Sequence, residues 1–367
     1  QGSLGILAAE RNSSPPFCNA GFYRRLSAIG ARMGLFVFVF FPGRIDWVGR
    51  RAEGYVCMES TGSWERRRVP LPDFVYDRFF CSTGSQYALY RKQMRRLLAS
   101  ENVRFLGIGL PDKYRVQKML SGDEAIRPFL SEMHNIGDLR DIRRLLAECG
   151  DLVLKPSGGS QGRGIVRLTA NSENNARFRI VGRNFRNEPV TLEFDRRTEL
   201  EGWLARFVGR RRYVAMPYLN LTTGSGQPYD IRAFVQKNGT GRWQWIGMAA
   251  RVGPAGQLTS NLHGGGKAVD AMELLRAEFS GRAGHLAENI RKLSLRVARV
   301  LEARHGRLLE IGIDFGIEPT GAIRLLEVNS RPGRSVFRRV GDREAFRRAV
   351  SNPILYACHL RDRQLGG

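Results

Sequence analysis

The stretch from Leu308 to Gly333, LLEIGIDFGIEPTGAIRLLEVNSRPG, constrains this chain more than any other. LLEIGIDFGIE and AIRLLEVNS carry the apolar and branched residues of strands, and Pro-Thr-Gly between them makes a turn. Side chains alternate across a strand, so Glu327 and Asn329 project from one face while Val328 packs on the other. Asp314 lies in the partner strand between Ile313 and Phe315. Two carboxylates and an amide oxygen set together in apolar strands must be neutralised, because a buried unpaired carboxylate is costly. Magnesium does this with oxygen ligands and completes its shell with water and phosphate oxygens. A solvated hairpin with ordinary surface acids is the competing reading, and these strands alone do not decide between them.

The 367 residues are enough for two or three domains, and 42% hydrophobic content is that of a folded protein. No apolar run reaches the roughly 18 residues of a membrane span. The longest, LFVFVFF at 35–41, has the length of a buried strand. The amino end has neither the basic segment nor the apolar stretch of a secretory signal, although it begins at Gln1 rather than Met. Five cysteines without a C-x-x-C read as reduced thiols in a cytoplasmic protein. Lys and Arg total 59 against 35 acids, a formal charge of +24 that attracts polyanions. A basic surface from arginine-rich composition explains the same number.

Residues 1–110 alternate short strands with helical stripes such as Phe22, Leu26, Ile29 and Met33, which predicts a small α/β domain with a largely parallel sheet. Near 112 the pattern changes. Asp112 is placed to cap a short helix with Lys113 in its first turn, where a lysine opposes the helix dipole and reaches outward to an anion or simply to solvent. DLVLKPSGGSQGRGIVRLTA (151–170) joins two strands by a loop rich in glycine. Glycine lets backbone amides approach a phosphate, and Lys155 adds a point charge. The loop is not a P-loop, since no G-K-[ST] follows. Arg232 and Arg251 sit in apolar strands, where each needs an anionic partner. QLTSNLHGGGKA (257–268) is a second glycine-rich loop, and a helix near 285–305 presents Leu286, Ile290, Leu293, Val297 and Leu301 on one face.

In order, KPSGGSQGRG, DIR, AAR, NLHGGG, GID and EVNSRPG resemble the ATP-grasp superfamily over about residues 111–340. DIRAFV, NLHGGG and LLEVNSRPG are similar to segments of the RimK-like ligases. WIGMAARVG and LLEIGIDFGIE resemble the YheC/YheD-like, endospore coat-associated ATP-grasp proteins. The resemblance implies an α/β and α+β architecture: a Rossmann-like pre-ATP-grasp domain at 1–110, an ATP-grasp domain at 111–340 with a lid-type part at about 121–210, and a helix at 341–367 docked on the body. It implies ATP and two magnesium ions, with manganese an alternative. Lys113 and Lys155 would hold the α and β phosphates, with Ser157, Gly158, Gly159, Gly162 and Gly164 in a covering loop. Met216, Tyr218 and Leu219 would meet adenine through the hinge backbone, and Asp314, Glu327 and Asn329 would hold metal. Many members carry an acidic residue at the hinge for the ribose; Met216-Pro217 stands there instead.

The implied chemistry is amide formation between a carboxylate and an amine through an acylphosphate. Arg232, Arg251 and Asn261 are the candidates for the charge on the transferred phosphate. His263 stays outside the catalytic set. A nucleotide-binding structural protein of the spore is the alternative. Scattered arginines without a recognisable module argue against nucleic acid as a partner. An acidic peptide or cell-wall fragment is the expected carboxylate, and the expected place is the cytoplasm, with spore association.

Overall fold

In a computed structural model, residues 2–80, 83–158, 162–170, 178–258, 260 and 265–365 are described, and they build three sheets in chain order. The first holds β1 (Gly2–Leu7), β2 (Leu35–Asp46), β3 (Arg51–Cys57), β4 (Trp64–Pro70), β5 (Phe74–Asp77) and β6 (Arg104–Phe105), in the spatial order β4-β3-β2-β1-β5-β6. β1 runs parallel to β2 and β5, and β5 to β6, while β3 and β4 add an antiparallel edge to the expected parallel core. The LFVFVFF run is buried on both faces. Val37, Val39 and Phe41 join one core with Leu26 of α1 (Ala20–Arg32), and Phe38 and Phe40 join another with Met94 and Leu97 of α2 (Gly84–Leu98).

The second sheet is antiparallel: β7 (His134–Ile136), β8 (Asp151–Pro156), β9 (Val166–Ala170), β10 (Phe178–Arg183), β11 (Pro189–Phe194) and β12 (Tyr213–Pro217), ordered β11-β10-β9-β8-β12-β7. It is preceded by α3 (Lys113–Ser121). α4 (Leu139–Cys149) and α5 (Arg197–Val208) bury Ile142, Leu145, Leu200 and Leu204 against Leu152 and Leu154 of β8. Alternation then turns Lys155 to the opposite face. Gly150 ends α4 at φ 70°, the left-handed geometry that favours glycine.

The third sheet holds β13 (Tyr229–Lys237), β14 (Trp243–Val252), β15 (Lys267–Asp270), β16 (Glu310–Ile317) and β17 (Ile323–Asn329), antiparallel in the order β15-β14-β13-β16-β17. α6 (Ala271–Phe279) and α7 (Ala283–His305) cover one face, where Ile290, Leu293 and Val297 meet Ile231, Ile313 and Val328. α8 (Ser335–Arg339) and α9 (Arg343–Leu365) cover part of the other through Phe337, Ala345 and Ala349 against Phe234. Ile354, Ala357 and Cys358 of α9 also enter the first sheet's core. The uncovered part of that face carries the charged residues. The expected turn stands at Gly321, φ 89°, with its amide on the Glu318 carbonyl at 2.7 Å.

Candidate nucleotide and metal site

Strand register assembles the polar face of the third sheet. Glu327 lies opposite Asp314, Asp314 opposite Arg232, and Asp230, two residues before Arg232, opposite Arg251. Glu327 and Asn329 share that face. Their apolar neighbours Ile231, Ile313 and Val328 point into the α7 core, so sequence alternation alone divides site from core.

The charges form one chain of contacts. Arg232 binds Asp314 through Nε and through Nη2, the latter at 2.9 Å. Nη2 of Arg251 lies 2.9 Å from Asp314 Oδ2 and 2.6 Å from Asp230 Oδ1, with its Nε donating to Asp230 at 2.7 Å. Ser260 Oγ donates to the other Asp230 oxygen. Burial would raise the Asp314 carboxyl, but Arg232 and Arg251 outweigh it and hold the group down at about 2. Burial raises Asp230 despite Arg251. Arg232 and Arg251 thus have the anionic partners that their strands demanded, and both partners are protein carboxylates.

Lysines from the second sheet and α3 meet this face. Asp112 accepts from the Arg115 amide at 3.1 Å and caps α3. Lys113 Nζ lies 3.8 Å from Glu327 Oε1 and 3.4 Å from the Pro156 carbonyl, joining the end of β8 to β17. Burial first, then the positive charge of Lys113, pulls Lys155 down to about 8, while Glu327, Asp314 and Asp230 pull the other way. Ser157 Oγ is buried and has no hydrogen-bond partner among the described residues. An orphaned hydroxyl beside two lysines fits a phosphate oxygen.

The glycine-rich loop is fixed at its root. Gly164 sits at φ 70°, its carbonyl accepts from the Tyr213 hydroxyl at 3.0 Å, and a Cβ there would lie 2.6 Å from Phe185. Gly162 has φ 74°, and a Cβ on Gly158 would meet nothing within 4 Å. At the hinge, β7 pairs with Tyr213–Ala215 only, so the same edge of Met216 has no strand partner among the described residues. That edge suits recognition through the backbone. The Tyr218 amide donates to the Asp151 carbonyl at 3.0 Å, and Arg167 stacks 3.5 Å from its ring centroid; Leu219 follows, half-buried. Gly159, Asn261 and His263 lie outside the described residues.

The residues expected to hold metal have the right chemistry for it. Among the described residues no group of three or more His, Cys, Asp or Glu is arranged for a metal. Asp314, Glu327 and Asn329 offer two carboxylates and one amide on a single face, all hard oxygen donors. Such a set suits magnesium that draws its other ligands from phosphate and water.

Two groups of residues escaped the sequence reading. Asp230 was passed over inside DIR, although its spacing from Arg232 places both on one face. The second group fastens the first sheet to β16 and β17. Arg78 Nη1 and the Tyr76 hydroxyl both donate to Glu310 Oε1, at 2.9 and 2.7 Å, and Arg334 binds the same carboxylate. Arg331, two residues past Asn329, binds Asp77 and the Tyr90 hydroxyl, the latter at 2.6 Å. The arginines of SRPGR were the signal available; Asp77 and Tyr90, which meet Arg331, and Tyr76, which meets Arg334, lie more than 200 residues away in sequence.

Comparison with known proteins agrees with this architecture. Residues 102–360 match the profile of the YheC/D-like ATP-grasp family. The endospore coat-associated protein YheC of Bacillus subtilis (strain 168) is 26% identical over 98% of this chain and 94% of its own length. YheD of the same organism is 27% identical over 86% of this chain and 68% of its own length. Among solved structures, D-cycloserine synthetase DcsG superposes with a TM-score of 0.57 at 14% identity, covering 98% of this chain and 99% of that one. D-alanyl-alanine synthetase A from Vibrio cholerae gives 0.54 at 12% identity, with 98% of each chain covered. These likenesses place the three sheets in the ATP-grasp fold, and the chain belongs to the YheC/D-like ATP-grasp family.

Proposed function

We propose that this protein is an ATP-dependent carboxylate–amine ligase that forms ADP and an amide through an acylphosphate. The observation that carries the reading is the convergence of Lys113, Lys155 and the orphaned Ser157 hydroxyl on the Asp314 and Glu327 face. Lys113 and Lys155 bind phosphates that do not react, and the hinge edge at Met216 takes the base. Glu327, Asn329 and Asp314 would hold magnesium, which screens the phosphates and lowers the barrier to phosphoryl transfer. The substrate carboxylate attacks the γ-phosphorus, the bond to ADP breaks, and an amine then displaces phosphate from the acylphosphate. Arg251 and Arg232 face the charge that grows on the transferred group. Asn261 would join them from the loop after Ser260. The units are 1–110, 111–340 and the terminal helix.

The excess of basic residues favours a carboxylate substrate that is itself acidic, such as a peptide or cell-wall fragment. No described helix is long and apolar enough to cross a membrane. We place the protein in the cytoplasm, with spore association following the printed names of its relatives. The test is ADP release across carboxylate–amine pairs, with mass spectrometry of the product. An amide whose formation requires both partners supports the ligase. One observation favours a second reading, a nucleotide-binding structural protein: both arginines close on Asp314. Tight ATP binding without acceptor-dependent ADP release would select it.

A further inference from the structure

Helix α2 gathers four exposed cations with no carboxylate in its own sequence. Several exposed arginines elsewhere pair with nearby carboxylates: Arg44 with Glu10, Arg68 with Asp46, Arg143 with Glu201, Arg291 with Glu288. The α2 sequence GSQYALYRKQMRRLL contains no acid. Its Arg91, Lys92, Arg95 and Arg96 are exposed and form no ion pair among the described residues. Two of them lie on aromatic rings instead, Arg96 4.2 Å from the Trp47 centroid and Arg91 5.9 Å from that of Tyr87. Helical spacing puts Lys92, Arg95 and Arg96 opposite the buried line Tyr90, Met94 and Leu97.

Exposed large apolar side chains gather at the same place. Val48 is 98% exposed, Tyr87 49%, Leu89 42% and Leu98 47%, and among the described residues only Phe80 joins them. Val48 forms the tip of the β2–β3 hairpin, which is fastened to α2: Trp47 Nε1 donates to Gln93 at 2.8 Å, and Leu89 lies against Gly43. Arg50 and Arg51 add exposed cations at that tip. Isolated surface apolar residues need no explanation, but a group flanking unpaired cations does.

We propose that this face, α2 with the hairpin tip, docks on an anionic phospholipid surface. Its cations would lie over phosphate groups, and Val48, Leu89, Tyr87 and Leu98 would enter the headgroup layer. The cavities lined by Tyr76, Asp77 and Arg331 and by Lys113, Gln117 and Glu327 do not reach it, so it is an outward face rather than a groove for a peptide. A nucleic acid or a run of acidic side chains offers charge without a continuous hydrocarbon layer beneath it, whereas a bilayer sets phosphate charge above hydrocarbon, which matches cations flanked by aliphatic side chains.

The test is sedimentation of the full chain with phosphatidylcholine vesicles, with and without phosphatidylglycerol, at low and high salt. The expected result is binding only with phosphatidylglycerol, lost at high salt. Joint replacement Arg91→Gln, Lys92→Gln, Arg95→Gln and Arg96→Gln lowers partitioning on the order of a hundredfold. Val48→Asp lowers it about tenfold. All these sites are exposed, so the variants should melt as the wild type does, which is checked by circular dichroism. Failure to sediment with anionic vesicles, or unchanged partitioning of the joint variant, overturns the proposal. So does an inert Val48→Asp combined with equal binding to poly-glutamate or duplex DNA, which assigns the face to polyanions at large.

Discussion

Asp314 and Glu327 face each other across β16 and β17, yet a neutral isostere acts differently at each. Asp314 is buried and holds both Arg232 and Arg251. Asp314→Asn strips Arg232 of its carboxylate and leaves Arg251 with Asp230 alone, and removing one partner of a buried pair costs about 3–5 kcal/mol. Glu327 is more open and touches Lys113 at 3.8 Å, so Glu327→Gln should melt close to the wild type. Both should lose magnesium-dependent turnover. Thermal melting beside ADP release measures the two effects, and equal melting points would show that the arginine pairs add no stability. Lys155 and Arg251 separate in the same way. Lys155→Ala should raise KM for ATP, whereas Arg251→Ala should lower kcat roughly 10²–10³-fold, because only the second is proposed to meet charge that grows in the transition state. Lys155 also carries a pH signature. Its ammonium dominates below about 8 and the neutral amine above it, so ATP affinity should fall between pH of about 7 and 9. Lys155→Arg should flatten that profile in calorimetric titrations. Much of this site was legible in the sequence because strands alternate: Glu327, Asn329, Asp314, Arg232 and Arg251 were separable from their core neighbours by period alone. Asp230 was legible on the same rule. Its partnership with Arg251 was not, because strand register sets it and no local pattern encodes register.

Elements were legible where one face had to be buried. The stripe in α7, the cap at Asp112 and the buried run in β2 follow from side chains that only one arrangement hides. VRFLGIG reads equally well as a strand, but only Arg104–Phe105 pairs. Beyond it, the Ile108 amide turns to the Arg307 carbonyl, and Gly107 packs so closely on Leu308 and Leu309 that a Cβ would lie 2.5 Å from the Leu309 nitrogen. That contact joins the first sheet to the start of β16, and nothing local announces it. A similar close approach underlies the second sheet. A Cβ on Gly182 of β10 would lie 2.2 Å from the Ile165 carbonyl oxygen, and backbone cannot move aside as a side chain can. Gly182→Ala should therefore lower stability by about 1–3 kcal/mol. It should also weaken ATP binding, since the adjacent β9 pairs with β8, which carries Lys155. Denaturant melts and ATP titrations check both, and an unchanged midpoint would mean that β9 and β10 separate at little cost.

At the scale of the whole molecule the formal charge of +24 attracts polyanions, of which the proposed acidic carboxylate is one. Arg66, Arg67 and Arg68 are exposed on β4, but Glu53, Glu65 and Asp46 lie near them, so locally they are partly compensated. Arg210, Arg211 and Arg212 are exposed just before β12, and Arg211 stacks 4.0 Å from the Phe185 centroid. Long-range attraction sums over all these groups whatever their local pairs, because net charge alone acts at a distance. On the proposed function, an acidic carboxylate substrate should be captured faster than a neutral one, by an attraction that salt screens as the Debye length shrinks to about 8 Å at 0.15 M. Nucleotide affinity responds less, since Lys155 is half-buried and Ser157 buried, where mobile ions screen weakly. The measurement is kcat/KM for the carboxylate against ionic strength, with ATP saturating and magnesium fixed. A steep fall for acidic substrates with a shallow one for neutral analogues is expected. If both profiles are flat, or neutral substrates react faster, attraction plays no part in capture, and the charge belongs to surfaces remote from the reaction, such as α2.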